Sequence, residues 1–350
     1  MGIIFVDGFD HQNTSADLAT GDDWTSAANV VISAASGRFG GKGLTQSGFN
    51  TNNLLKTFSS TRTQGILGFA INLPSLGGGL AGEWKILDSG GAVQLSLAID
   101  SGANGLIQVY RGDAGGGGTL LGSTSSSLLA NIWGYVEFQW SISTAAGTVK
   151  VVLNGNTVLN LTAQNTNPSG TTNWQSIQWA NRTSGIFMDD LYMIDPATGG
   201  ANAPLGVANG VQVETLFPTA NQGSQQFTPL ANTNWQEVSE TAMDSNTSYN
   251  SSANLGNQDL FDIGALSDNP DKIFAVAVRS ACERDSTTNP IKIKNRLVSS
   301  ATESDGATIT QGTSYAYQTD IYETDPATSA AWTQTGVDAA QIGYNLAGVS

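Results

Sequence analysis

Trp133-Gly134-Tyr135-Val136-Glu137-Phe138-Gln139-Trp140, Gly147-Thr148-Val149-Lys150-Val151-Val152-Leu153-Asn154-Gly155 and Phe187-Met188-Asp189-Asp190-Leu191-Tyr192-Met193-Ile194-Asp195 decide the fold of this chain. In the first piece Val136, Phe138, Trp140 and Ile142 alternate with Glu137, Gln139 and Ser141. A period of two belongs to a strand with one buried face. Asn154-Gly155 sits between two such runs, and both residues accept the positive φ of a tight hairpin turn. The third piece sets Met188, Tyr192 and Ile194 on one face and Phe187, Leu191 and Met193 on the other. One of Asp189 and Asp190 must then point at packed surface, where it needs partners such as loop backbone or Arg182. The three pieces read as the back half of a two-sheet sandwich.

Working outward, strand signals recur at 3–6, 30–33, 65–72, 84–87, 93–99, 106–110, 135–142, 149–153, 157–161, 176–179 and 186–194. Clusters of Gly, Asn, Asp and Ser separate them, and no apolar spacing settles at three to four. The expected fold class is all-β: an antiparallel β-sandwich of jelly-roll type over 1–196, followed by a second mainly-β domain. Residues 197–204 hold no large apolar side chain and are flanked by Pro196 and Pro204, so they read as a linker. Residues 205–350 carry strand signals at 271–279, 291–298 and 314–322, aromatic anchors at Trp235 and Trp332, and one short helix near 335–342.

Composition narrows the function. The 29 acidic residues exceed the 14 basic ones, for a net charge of −15. With no Lys/Arg cluster, binding to nucleic acid by phosphate neutralisation is excluded, and an anionic membrane surface is disfavoured. No apolar run approaches the roughly 20 residues that span a bilayer, so no membrane insertion is expected. The N-terminus lacks the basic and apolar regions of a signal peptide. Cys282 stands alone, which rules out an intrachain disulfide and a thiolate cluster.

The inventory for catalysis is thin. His11, beside Asp10, is the one histidine. Glu83, Glu137, Glu214, Glu237 and Glu240 are scattered, and glycoside hydrolysis needs two carboxylates facing one cleft. Gly77–Gly79 and Gly115–Gly118 lack the strand-to-helix context of a phosphate cradle, so no cofactor is expected. Hard-cation chemistry has candidates in Asp7, Asp10, Asp22, Asp23, Asp189 and Asp190, which could hold calcium. Trp174, in a Thr/Asn-rich stretch beside Asn173, is the candidate platform for stacking a sugar ring.

Residues 5–10, 133–138, 147–155 and 188–192 together resemble the concanavalin A-like (laminin-G-like) sandwich. The continuation is similar to structural proteins of tailed-phage virions. It runs through Val211-Gln212-Val213-Glu214-Thr215-Leu216-Phe217-Pro218, Phe227-Thr228-Pro229, Asn234-Trp235, 244–249, Asp259-Leu260-Phe261 and 325–333. The resemblance implies a non-enzymatic virion component of tail, fibre or head surface, made in the host cytoplasm. It would assemble with other virion proteins and as a homo-oligomer through 205–350, and display a lectin-like sandwich toward host surface glycans. It transfers no site residues. The alternatives are a carbohydrate-binding module and a polysaccharide depolymerase.

Overall fold

A computed structural model of the chain describes residues 2–349 except 20–23, 35, 47–49, 101, 103, 183–184, 199–204 and 286–290. The chain divides into two compact units, one built from Met1–Ala19 and Trp24–Val213 and the other from Glu214–Ser350. Residues 205–213, which the sequence assigns to the second domain, therefore belong to the first. Most of the expected linker, 199–204, lies outside the described residues; its first two residues, 197–198, belong to the 3-10 turn Pro196–Thr198.

The first unit contains β1 (Gly2–Asp7), β2 (Ser26–Ala27), β3 (Val30–Ser33), β4 (Gly43–Gln46), β5 (Asn50–Arg62), β6 (Gln64–Asn72), β7 (Leu80–Leu87) and β8 (Val93–Asp100). It continues with β9 (Leu106–Arg111), β10 (Thr119–Ser127), β11 (Gly134–Ser141), β12 (Gly147–Leu153), β13 (Asn156–Gln164), β14 (Trp174–Asn181) and β15 (Phe187–Asp195). One sheet has the order β13-β12-β11-β6-β15-β4-β3, with β1 also on β15; the other runs β10-β9-β8-β7-β14-β5-β2. Their inner faces meet in one core. Phe69, Phe138 and Trp140 come from the first sheet, and Trp84, Leu97 and Trp179 from the second. Burying each such side chain contributes about 1.5–3 kcal/mol, so this core is the main source of stability. The all-β sandwich expected from the sequence is the observed architecture.

Local details follow the chain's chemistry. Val136, Phe138 and Trp140 point inward as their alternation requires. Asn154 and Gly155 take φ of 49° and 79°, the left-handed pair that closes the β12–β13 hairpin. The third piece departs from simple alternation. The register on β6 shifts between Asp189 and Tyr192, and Asp190 adopts φ 53°. This bulge puts Met188 in the core with Leu191 and Met193, while Tyr192 and Ile194 emerge on the outer face. The sequence gives no sign of β5, thirteen residues long, or of β10, because both are rich in Asn, Ser and Thr.

In the second unit Pro218–Gln225, Gln258–Ile263, Gln341–Val349, Ile291–Ser299 and Thr302–Asp305 form a sheet in that order, and Ile309–Thr310 also pairs with Ile291–Ser299. Val276–Cys282 pairs with Ala316–Tyr322 as a two-stranded ribbon. The strand expected over 271–279 thus starts later; Ile273 makes only an isolated bridge to Trp332. Trp235 lies in the 3-10 turn Asn234–Glu237. The expected helix is Gln334–Asp338, and Gln341 and Ile342 open the last strand instead. Among the described residues apolar packing here falls into two small clusters, one around Leu297 and Trp332 and one around Phe227 and Leu346.

Candidate functional site

The sandwich has two outer faces, and the chain treats them differently. On the first sheet Ile66, Ala70, Tyr135, Tyr192 and Ile194 form an apolar strip, and Leu205 and Val211 pack onto it. Glu137 accepts from the Tyr192 hydroxyl at 2.6 Å and from the Gly206 N–H at 2.7 Å. Asp190 accepts from the Val213 N–H at 2.8 Å. The Arg38 guanidinium pairs with Asp190 at 3.2 Å and donates to the Val211 carbonyl at 3.0 Å and to the Asn209 carbonyl. Residues 205–213 are thereby strapped over this face.

This arrangement relocates several residues singled out in the sequence. The arginine beside Asp189-Asp190 is Arg38, not Arg182. Asp189 accepts from the backbone N–H groups of Arg38 and Asp190, each at 2.8 Å. Burial and then the Asp190 charge raise Asp189 to about 8, and burial raises Asp190 to about 6 against the Val213 N–H and Arg38, which hold it down. The two therefore titrate as one unit. Burial also raises Glu137. It lies beneath the chain's own segment.

At the N-terminal turn Asp7 is fully buried, accepting from the Phe9 N–H at 2.8 Å and the Trp24 indole at 2.7 Å. His11 Nδ1 lies 4.0 Å from the same carboxylate. Asp10 accepts from the Lys42 N–H at 2.7 Å, and burial raises its pKa. Asp22 and Asp23 lie outside the described residues. Among the described residues no three His, Cys, Asp or Glu side chains group as a metal set. Asp7, Asp10, Asp189 and Asp190 each accept hydrogen bonds from protein donors.

Trp174 requires a correction. Its side chain is 0% exposed, wedged edge-on against Trp140 at 5.2 Å and Phe58 at 5.6 Å, with its indole N–H donated to the Gln64 carbonyl. A stacking platform needs an open ring face, and Trp174 has none. The Thr/Asn-rich run ahead of it belongs to the surface, but β14 begins at Trp174 and turns the ring inward.

The outer face of the second sheet is polar. Register places Gln178, Lys85, Ser96 and Tyr110 directly opposite one another across β14, β7, β8 and β9. The next row is Ala180, Glu83, Ala98 and Gln108. Directly opposed residues share a face, so these side chains converge. The floor is buried, while Gln108, Tyr110 and Gln178 are half-buried. The Tyr110 hydroxyl donates to Gln108 at 2.8 Å. Burial and then the nearby Asp100 and Glu83 charges raise that phenol.

Four charges stand on this floor. The Arg182 guanidinium lies 2.7 Å from Glu83, and the Lys85 ammonium 2.8 Å from Asp113 and 3.6 Å from Glu83. Side-chain exposure is 0% for Glu83 and 5% for Lys85, against 26% for Arg182 and 33% for Asp113. Asp113 opens the loop 113–118 and caps its 3-10 turn through the N–H groups of Gly115 and Gly116. Ser96 ties the loop to the sheet by donating to the Gly112 carbonyl at 2.6 Å and accepting from Ala114 at 3.2 Å. Gly115 lies so close to the Arg182 guanidinium that a Cβ would collide with it. Burial works to raise Asp113, but the Lys85 hydrogen bond and charge, the Gly115 N–H and Arg182 outweigh it and hold it low. Glu83 Oε2 and Arg182 Nε are buried and make no hydrogen bond among the described residues.

Removing such charges from water costs several kcal/mol per ion, on the order of what their pairing returns, so the cluster is a poor device for stability alone. A charge cluster with two buried, unmatched hydrogen-bonding atoms beneath half-exposed polar side chains is the candidate site of this unit. Sequence reading missed it because its members are spread over 83, 85, 113 and 182. The available signal was Glu83-Trp84-Lys85, an inward tryptophan flanked by two charges on the opposite face.

No family model matches the chain, and no curated protein matches it by sequence. Solved structures do resemble it in shape. Alginate lyase Aly36B is 17% identical with a TM-score of 0.40, over 55% of this chain and 96% of that one. Domain 4 of AbnA, an extracellular arabinanase from Geobacillus stearothermophilus solved with arabinotriose, is 16% identical with a TM-score of 0.35, over 55% and 91%. A Bacillus subtilis protein with a galectin-like fold is 11% identical with a TM-score of 0.36, over 55% and 96%. The likeness is one of β-sandwich architecture, and the chemistry of those proteins remains their own.

Proposed function

We propose that this is a non-enzymatic display protein whose first unit binds carbohydrate on the outer face of the β7–β8–β9–β14 sheet. The observation that carries the reading is the contrast between the two faces. One is sealed by residues 205–213, and the other presents Gln108, Tyr110, Gln178 and a charge cluster at its surface. Amide and phenol side chains held on rigid strands suit hydroxyl-rich ligands, for which orientation matters more than depth. A glycan array followed by calorimetry tests this. The expected result is binding that Tyr110→Ala weakens by about tenfold or more without a change in melting temperature. Wild-type-like binding by Tyr110→Ala, or the absence of any glycan ligand, overturns it.

A second reading concerns residues 214–350, which we assign to assembly, as in a virion surface component. The observation favouring it is the thin apolar packing of that unit, where Val276, Ile291 and Tyr317 stay half-exposed although they lie on strands. Apolar surface of this kind is commonly completed by symmetric copies. Sedimentation equilibrium would return a closed oligomer, and mass spectrometry of purified particles would find the chain there. A monomer at all concentrations contradicts assembly. Particles without the chain contradict the virion role.

A further inference from the structure

We propose that the ligand is a sugar acid whose carboxylate takes the place of Asp113 between Lys85 and Arg182. The inference rests on the carbohydrate reading above and names the class of sugar. Three observations meet at one spot. First, Lys85 and Arg182 both reach the fully buried Glu83, whose single charge cannot neutralise the two cations. The second counter-charge is Asp113, the one carboxylate of the four-charge cluster that reaches solvent, carried on a loop rather than on the sheet. Second, Glu83 meets both cations through Oε1, and its other oxygen, Oε2, is buried with no hydrogen-bond donor among the described residues. Third, Asp113 sits between two cations, Lys85 donating to it at 2.8 Å and Arg182 4.0 Å away, and cations bind a carboxylate more strongly than a neutral hydroxyl because such hydrogen bonds are charge-assisted.

An incoming carboxylate keeps the cluster neutral, with two cations facing two anions. A hydroxyl on the neighbouring carbon donates to Glu83 Oε2. Carboxylate beside hydroxyl on one small ring is the chemistry of a uronic acid or a related acidic sugar. Residues 115–118 carry no side chains, so the loop is held at 112–114 by Ser96 and by Asp113's own cap, and the exchange moves Gly115 off the Arg182 guanidinium. Recognition is local. At a net charge of −15 the chain repels a polyanion at long range, and beyond about 8 Å that field is screened at physiological salt.

The test uses the full chain with a galacturonate hexamer and a hyaluronan hexasaccharide, each beside its carboxyl methyl ester, titrated by calorimetry. The wild type should bind an acid form at least about tenfold more tightly than its ester. Asp113→Asn removes the competing carboxylate from an exposed loop and should tighten acid binding about tenfold, a gain that misfolding cannot mimic. Arg182→Gln should abolish the preference for acid over ester. Equal affinity for acid and ester overturns the inference and leaves the carbohydrate reading in place, as does an Asp113→Asn variant that binds the acid no more tightly. If the array finds no glycan at all, both fall.

Discussion

The two outer faces of one sandwich show how the same scaffold can close a surface or leave it for a ligand. Beneath residues 205–213 the charges Glu137, Asp190 and Arg38 are each satisfied by the chain itself: a tyrosine hydroxyl, backbone N–H groups and backbone carbonyls. On the opposite face Glu83, Lys85, Asp113 and Arg182 satisfy one another only in part, and two of their atoms have no partner among the described residues. Charges under the strap hold structure. Charges on the open face are poised for exchange.

That contrast can be broken in graded ways. Arg38→Ala leaves Asp190 buried without its cation and frees two carbonyls, so unfolding by urea should show a loss of about 3–5 kcal/mol. A loss under about 1 kcal/mol would mean that the strap is not fastened by this arginine. Gly210 has φ 79° and lies against the Tyr135 ring. Gly210→Val should therefore cost about 2–3 kcal/mol, from both the left-handed backbone and the collision. Melting temperature measures it, and a neutral result would place the segment elsewhere.

The aspartate pair supplies a pH signature. Carboxylates raised on folding contribute stability that is complete below their ordinary pKa near 4 and lost as pH climbs through the folded values, here about 6 and about 8. The first unit should melt at a lower temperature at pH 9 than at pH 5, and Asp189→Asn should flatten that slope. A slope unchanged in the variant would assign the titration to other groups. The smallest stability effect belongs to the open face. Gln178→Ala and Gln108→Ala should each shift stability by no more than about 0.5 kcal/mol, yet weaken glycan binding severalfold.

Much of the architecture was legible in the chain because strands announce themselves by alternation. Val136, Phe138 and Trp140 lie inward and Asn154-Gly155 turns as their chemistry demands. What stayed hidden is long-range or irregular. Arg38 and Asp190 are 152 positions apart, and no local pattern links them. The bulge at Asp190 flips Tyr192 to the outside, which a strict period of two cannot express. Trp174 sits at the first residue of a strand, where composition suggests a loop and register decides for the core. The Glu83 cluster was invisible for the same reason as the Arg38 clamp: its members meet only once β7, β14 and the loop after β9 are folded together.

The most direct measurement is two-dimensional NMR of the chain titrated with the best-binding glycan. The side-chain amides of Gln108 and Gln178 and the backbone of 112–118 should shift first and saturate together, while 205–213 stays unmoved. Shifts concentrated at 205–213, or confined to 214–350, would contradict the assignment of the open face as the binding site.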